Sequence, residues 1–317
     1  MKEYGGYLEF EHFDGNVYHS NCLALNSGRN CLRYVLRAKK INRIAIPYYI
    51  CNAVIEACWK ENVEVNFYSI DENFHPKDPL NVCETIYVVN YYGQLTNDYL
   101  TKLRDKCQNL IIDNSQAFFQ FPIKGADTIY TCRKFFGVPD GAYLYTDVLL
   151  EDELLKQYSY SRLRFLAGRY EKTANEFYDD FQENEKFIEK QDIKGMSDIA
   201  ANVLHAVDYK KVKLIREKNY QVLERNFYGL NEMQIQMGVG PYAYPLLIKN
   251  GKEMRRKLHK RKLYIPCLWP NVIGNKDYCR ESYYAENILP LPCDQRYLED
   301  DMLKIVDIVN RMLGEDV

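Results

Sequence analysis

The stretch from Arg29 to Thr146 constrains the fold most, because β-rich runs and helical stripes alternate along it. Leu32, Val35 and Leu36 in "RNCLRYVLRAKK" recur at helical spacing, as do Val54, Ile55 and Cys58 in "NAVIEACWKEN". "RIAIPYYI", "VEVNFYSID", "TIYVVNYYG", "NLIIDNSQAFF", "DTIYTC" and "GAYLYT" read as strands. "TNDYLTKLRDKC" reads as a helix capped by Thr96 or Asn97. Strands separated by helices of this length predict an α/β fold with a mostly parallel sheet.

The pattern then changes. Residues 151–224 carry no strand signal. A charged helical stretch runs to about residue 190, and one long helix is expected from Met196 onward, striped by Ile199, Val203 and Val207. Near the end, "YAYPLLI" and "YIPCLWP" read as strands, and "GKEMRRKLHKRK" and "LEDDMLKIVDIVNRML" as helices. The expected division is an arm at 1–19, a large unit at 20–210 and a smaller α+β unit at 211–317.

A formal net charge of -2 gives no global field toward nucleic acid or an acidic membrane. "RRKLHKRK" reads as a solvated helix face. Ten cysteines are scattered without a C-x-x-C pair, and no apolar run reaches the ~20 residues that span a bilayer. They read as reduced thiols of a cytoplasmic protein with no membrane partner. Neither they nor the five histidines fall at metal-ligand spacing. The 28 tyrosines suit strands and half-wet clefts.

In parallel α/β sheets, ligands sit beyond the carboxyl ends of the strands. Ser27, Gly28, Arg29 and Asn30 stand just before a helix, where free N–H groups suit a phosphate. Asp113 closes a buried-strand run, and Gln116 follows three residues later. Lys134 lies one strand further on, beside Thr131 and Arg133, in the Gly-Val-Pro-Asp-Gly-linked pair "DTIYTC" and "GAYLYT". A lysine crowded by Ile129, Phe135, Phe136 and Val138 is expected to lose proton affinity and act as a nucleophilic amine. A phosphate cradle, a carboxylate and an amine, in that order, meet the needs of pyridoxal phosphate.

"LNSGRNCLRYVL", "IPYYICNAVIEAC", "VEVNFYSID", "VNYYGQ", "IIDNSQAFF" and "CRKFFGVPDGAYLYT" resemble, in that order, the DegT/StrS-type sugar aminotransferases. "MSDIAANVLHAVDYKKVKLIREKNY" and "ILPLPCDQRYLEDDMLKIVDIV" resemble later parts of that family, so the likeness covers roughly residues 20–150 and 195–312. It implies a fold-type-I large domain with a smaller α+β C-terminal domain, and a homodimer with sites at the subunit interface. It implies transfer of an amino group to a nucleotide-linked keto-sugar for surface polysaccharide. Lys134 then matches the lysine that bonds to the cofactor aldehyde, Asp113 the partner of the ring nitrogen, and Gln116 the partner of the phenolic oxygen. Gly28, Arg29 and Asn30 align with the phosphate-binding helix start, and Thr131 with a phosphate-binding hydroxyl. Tyr92 borders the cleft, and Tyr92 and Trp269 are the expected substrate contacts. Related sugar dehydratases carry histidine in place of Lys134.

Departures from the family pattern are specific. Cys51 occupies the position of an aromatic that stacks on the cofactor, with Tyr48 or Tyr49 as substitutes. Thr131-Cys132-Arg133 replaces a serine-rich lead to the lysine. Lys194-Gly195-Met196-Ser197 replaces a glycine-aromatic-asparagine loop. These keep open a second class, a cofactor-fold binding or regulatory protein without transaminase activity. A nicotinamide-linked oxidoreductase is excluded by the missing G-x-G-x-x-G.

Overall fold

The computed structural model describes residues 4–77 and 85–314. A seven-stranded sheet has the order β1-β7-β6-β5-β4-β2-β3. Its strands are β1 (Leu23–Leu25), β2 (Arg43–Pro47), β3 (Glu64–Tyr68), β4 (Thr85–Val89), β5 (Asn109–Asp113), β6 (Asp127–Thr131) and β7 (Ala142–Tyr145). Strands β3, β2, β4, β5 and β6 run parallel. The short Cys132–Gly141 connection has no room for a crossover helix, so β7 returns antiparallel to β6, and β1 pairs antiparallel with β7. Helices α1 (Gly28–Ala38), α2 (Asn52–Lys60) and α3 (Asn97–Arg104) make the crossovers. Ser27 caps α1 by accepting from Asn30 N, and Thr96 caps α3 by accepting from Tyr99 N. Buried Ile44, Ile46, Ile86, Val88, Leu110 and Ile112 show why the central strands read as continuous apolar runs.

The middle of the chain departs from the expected long helices. Its charged stretch holds α4 (Arg164–Glu171) and α5 (Tyr178–Lys190) with short 3₁₀ turns, while Gln157 N bonds to Gly195 O instead of continuing a helix. The single helix expected after Met196 is two, α6 (Asp198–His205) and α7 (Tyr209–Phe227). Asp208 breaks it, because its side chain accepts from Lys211 N and starts a new helix.

The C-terminal part has its own two-stranded sheet, β8 (Ala243–Leu247) antiparallel to β9 (Ile288–Pro292). Helices α7, α8 (Gly251–Lys260) and α10 (Glu299–Gly314) enclose a separate core with Leu246, Leu258, Leu289, Leu291 and Val309. "YIPCLWP" is not a strand: β9 takes the place beside β8, and Trp269 turns into a 3₁₀ segment with φ 54°. Helix α9 (Cys279–Asn287) leads into β9. Nine of the ten cysteines lie among the described residues and are unpaired, and Cys83 lies outside them. No helix among the described residues is long and apolar enough to cross a membrane.

Candidate active site at the carboxyl ends of β5 and β6

Strand β5 ends at Asp113, which is 9% exposed and held from two sides. Tyr87 Oη on β4 donates to Asp113 Oδ2 at 2.8 Å, and Ser115 N donates to Oδ1 at 2.8 Å. Burial, and then the Asp113 charge, push the Tyr87 phenol well above its usual range, so it stays a proton donor. Lys134 Nζ donates to Ser115 Oγ at 2.8 Å. One short chain of contacts therefore joins Lys134, Ser115, Asp113 and Tyr87. Beneath it, Asn90 Nδ2 donates to Asn114 Oδ1 at 3.0 Å and to Gln120 Oε1 at 2.9 Å, which ties the ends of β4 and β5 together.

Gln116 lies beside this chain and is 1% exposed. Its Oε1 accepts from Tyr92 N at 2.8 Å, while its Nε2 is buried with no hydrogen-bond partner among the described residues. A buried unpaired amide donor is costly unless something fills its place. The bond to Gln116 also secures Tyr92 at φ 53°, a left-handed conformation that costs a residue with a Cβ on the order of 1 kcal/mol.

The start of α1 closes the other side. A Cβ on Gly28 would come within 2.6 Å of Thr131 Cγ2, so only glycine lets the helix start press against the end of β6. The first N–H groups of a helix have no acceptor inside it. The side chains of this turn point elsewhere. Arg29 pairs with Glu56 at 3.2 Å and Glu189 at 3.6 Å, and Asn30 Nδ2 donates to Asn26 Oδ1 and Asp192 O. Thr131 Oγ1 lies 3.4 Å from Ser115 O. Cys51 precedes α2, and its thiol is pushed up by burial, with Lys134 opposing and Asp113 adding to the shift. It is a neutral group facing the same site.

Several expectations are corrected here. Lys134 is exposed, not caged by apolar groups. Phe135, Phe136 and Val138 turn away into a cluster with Phe118, Met196 and Leu204. Tyr49 cannot stand in for the aromatic missing at Cys51, because it is fully buried, its ring 4.4 Å from Trp269 and 5.1 Å from Tyr91. Tyr48 is stacked between Phe67 and Tyr278. Tyr92 is 1% and Trp269 8% exposed, with their ring centres 6.4 Å apart, so neither presents an open ring face in this structure. Arg133 pairs with Glu185, which brings α5 over the lysine turn. Lys194–Ser197 is stitched in place: Asn26 N donates to Lys194 O, Met196 N to Ala24 O, and Ser197 N to Asp140 Oδ1.

Sequence reading missed Tyr87 and Ser115. Tyr87 pairs with Ile111 and Val89 with Asp113, so the period of two along β4 and β5 puts Tyr87 on the carboxylate's face. Two surface cavities, of about 370 Å³ beside Tyr145 and Asp147 and about 290 Å³ beside Phe136 and Val207, lie outside this group of residues.

The mostly parallel seven-stranded sheet with a small C-terminal sheet has the fold-type-I architecture. Solved structures specify the likeness. A DegT DnrJ EryC1 StrS aminotransferase from Brucella abortus matches with a TM-score of 0.64 at 13% identity, over 92% of this chain and 85% of that one. DesV of S. venezuelae, in complex with a ketimine intermediate, matches with 0.63 at 17% identity, over 92% and 84%. Spr1654 of Streptococcus pneumoniae, assigned as a sugar aminotransferase and solved in its PLP form, matches with 0.65 at 13% identity, over 93% and 88%. The chain thus has the fold of the DegT/StrS aminotransferases along more than nine-tenths of its length, at low sequence identity. No protein-family profile matches the sequence, and no curated protein sequence matches it.

Proposed function

We propose that this protein is a pyridoxal-phosphate-dependent aminotransferase that moves an amino group from glutamate to a nucleotide-linked keto-sugar. In this reading it works in the cytoplasm on precursors of surface polysaccharide, as a homodimer with sites at the subunit interface. The observation that carries the proposal is the joined Lys134–Ser115–Asp113–Tyr87 chain beside the unpartnered Gln116 amide.

Bound there, pyridoxal phosphate supplies an aldehyde that takes up amines and a ring that withdraws electrons from the neighbouring carbon. Lys134 Nζ would hold the aldehyde and, once displaced by a donor amine, move a proton between the substrate carbon and the cofactor. Ser115 Oγ orients that amine from 2.8 Å. Asp113 would keep the ring nitrogen protonated, with its own charge steadied by Tyr87 and Ser115 N. Gln116 Nε2 would donate to the phenolic oxygen. The N–H groups at Gly28 and Arg29 and the Thr131 hydroxyl would receive the phosphate. The ion-paired guanidinium of Arg29 and the tied Asn30 amide have no part in this assignment.

Borohydride treatment of yellow protein tests the proposal. A pyridoxyl group on Lys134 and loss of colour with glutamate are expected, and an adduct elsewhere would overturn it. One observation favours a second reading, a cofactor-binding protein without transfer: Tyr48 and Tyr49 are committed to other rings, which leaves Cys51 in the stacking position. Colour that persists through glutamate treatment would select that reading.

A further inference from the structure

Arg216 heads the largest side chains buried to less than 2% exposure, and among the described residues its hydrogen bonds go to an amide and to backbone carbonyls rather than to a carboxylate. Burying a charge this way is expensive, so each hydrogen bond it makes matters. Its Nε donates to Gln295 Oε1 at 2.8 Å, and one terminal nitrogen donates to Pro241 O at 2.9 Å and lies 3.4 Å from Tyr242 O. The other reaches Phe135 O at 3.4 Å, and the guanidinium carbon stands 4.5 Å from the Phe135 ring centre. Gln295 Nε2 donates to the same Phe135 carbonyl at 2.7 Å. Phe135 directly follows Lys134, in a turn closed by Phe135 N and Phe136 N donating to Cys132 O at 3.0 and 2.9 Å.

The geometry points to Arg216 and Gln295 as positioning residues for Lys134. Arg216 orients the Gln295 amide, and Gln295 pins the carbonyl on the far side of the lysine turn. The Lys134 side chain leaves the same turn toward Ser115, so the C-terminal part of the chain sets where the amine stands. The functional half of this inference rests on the aminotransferase reading, and the mechanical half rests on the contacts alone. Displacing a reacting group by about 1 Å can cost on the order of a hundredfold in rate.

Gln295→Leu removes the direct bond and leaves the other Arg216 contacts. Arg216→Lys keeps the charge and loses the fork. Asn231→Ala is the control, because Asn231 serves Pro245 O and Leu247 N in the β8 region, away from the turn. Hydrogen exchange on peptides covering 132–138 should speed up about tenfold in Gln295→Leu and not in Asn231→Ala. The rate at which added pyridoxal phosphate is captured, read as colour and as borohydride-trapped Lys134, should fall about tenfold in Gln295→Leu and less in Arg216→Lys. Unchanged exchange and unchanged capture in folded Gln295→Leu overturn the inference. Faster exchange with normal capture overturns the positioning role and leaves a structural clamp. Wild-type protein that captures no cofactor removes the functional half and the aminotransferase reading with it, while the exchange result still decides the clamp.

Discussion

Asp113 and Asp127 are buried carboxylates on neighbouring strands, and the sheet treats them differently. Asp113 closes β5 at the carboxyl end, where Tyr87 and Ser115 donate to it and the Lys134 amine stands one residue away. Asp127 opens β6 at the opposite edge, where Lys39 Nζ bridges it at 2.8 Å to the exposed Asp147. Burial pushes the Asp127 carboxyl up, and Lys39 only partly offsets this. Burial and a nearby cation are common to both acids, so they do not by themselves single out Asp113 in the proposed site. What differs is the strand end, because helix starts and loop amides collect at the carboxyl edge of a parallel sheet.

Substituting each acid in turn is the strongest way to break this comparison. Asp113→Asn should lower aminotransferase activity by about a thousandfold with a modest effect on stability. Asp127→Asn should leave activity near wild type. Steady-state assays with glutamate decide it, and similar losses in both variants would erase the distinction.

A second effect tests how the arm secures the carboxyl edge. His19 Nε2 lies 2.8 Å from Phe118 O, on the segment that follows Asp113, and burial lowers its pKa to about 4. The unfolded chain then binds more protons than the folded one between pH 6.5 and 4, so stability falls as pH drops through that window. The loss should reach about 3 kcal/mol. Denaturant unfolding at pH 7 and pH 4 measures it, and His19→Gln should remove most of the difference.

Removing one hydroxyl gives a smaller change. Tyr87→Phe should reduce activity about tenfold by withdrawing a charge-assisted donor from Asp113. Activity equal to wild type would make the Tyr87 contact incidental. The smallest effect concerns Asp127. With its folded pKa raised, the folded state binds the extra proton, so this group's share of stability falls as pH rises above the ordinary carboxylate range. Asp127→Asn should flatten that part of the curve, and an unchanged slope would contradict the assignment.

The family resemblance lay in short segments, and those segments mark the edge where the site forms. "IIDNSQ" and "TCRKFF" stand at the ends of β5 and β6. What could not be read was the surroundings of each side chain. The apolar neighbours of Lys134 in sequence are not its neighbours in space, because the tight turn at Cys132 sends the lysine one way and Phe135 the other. Arg29 and Asn30 read as ligands by position, yet Glu56, Glu189 and Asp192 claim them from distant helices and loops. The stripe of Ile199, Val203 and Val207 reads as one helix, and only the structure shows Asp208 capping a second one.

The sequence by itself determined the alternating α/β order, the parallel sheet and the strand ends at which Asp113 and Lys134 fall, because these depend on periodicity and turn chemistry close along the chain. Only the tertiary structure decided that Tyr87 serves Asp113, that Tyr48 and Tyr49 are committed elsewhere, and that Arg216 and Gln295 hold the lysine turn from 81 and 160 residues away. Such contacts depend on which faces the packed helices and strands bring together, and no local pattern encodes that.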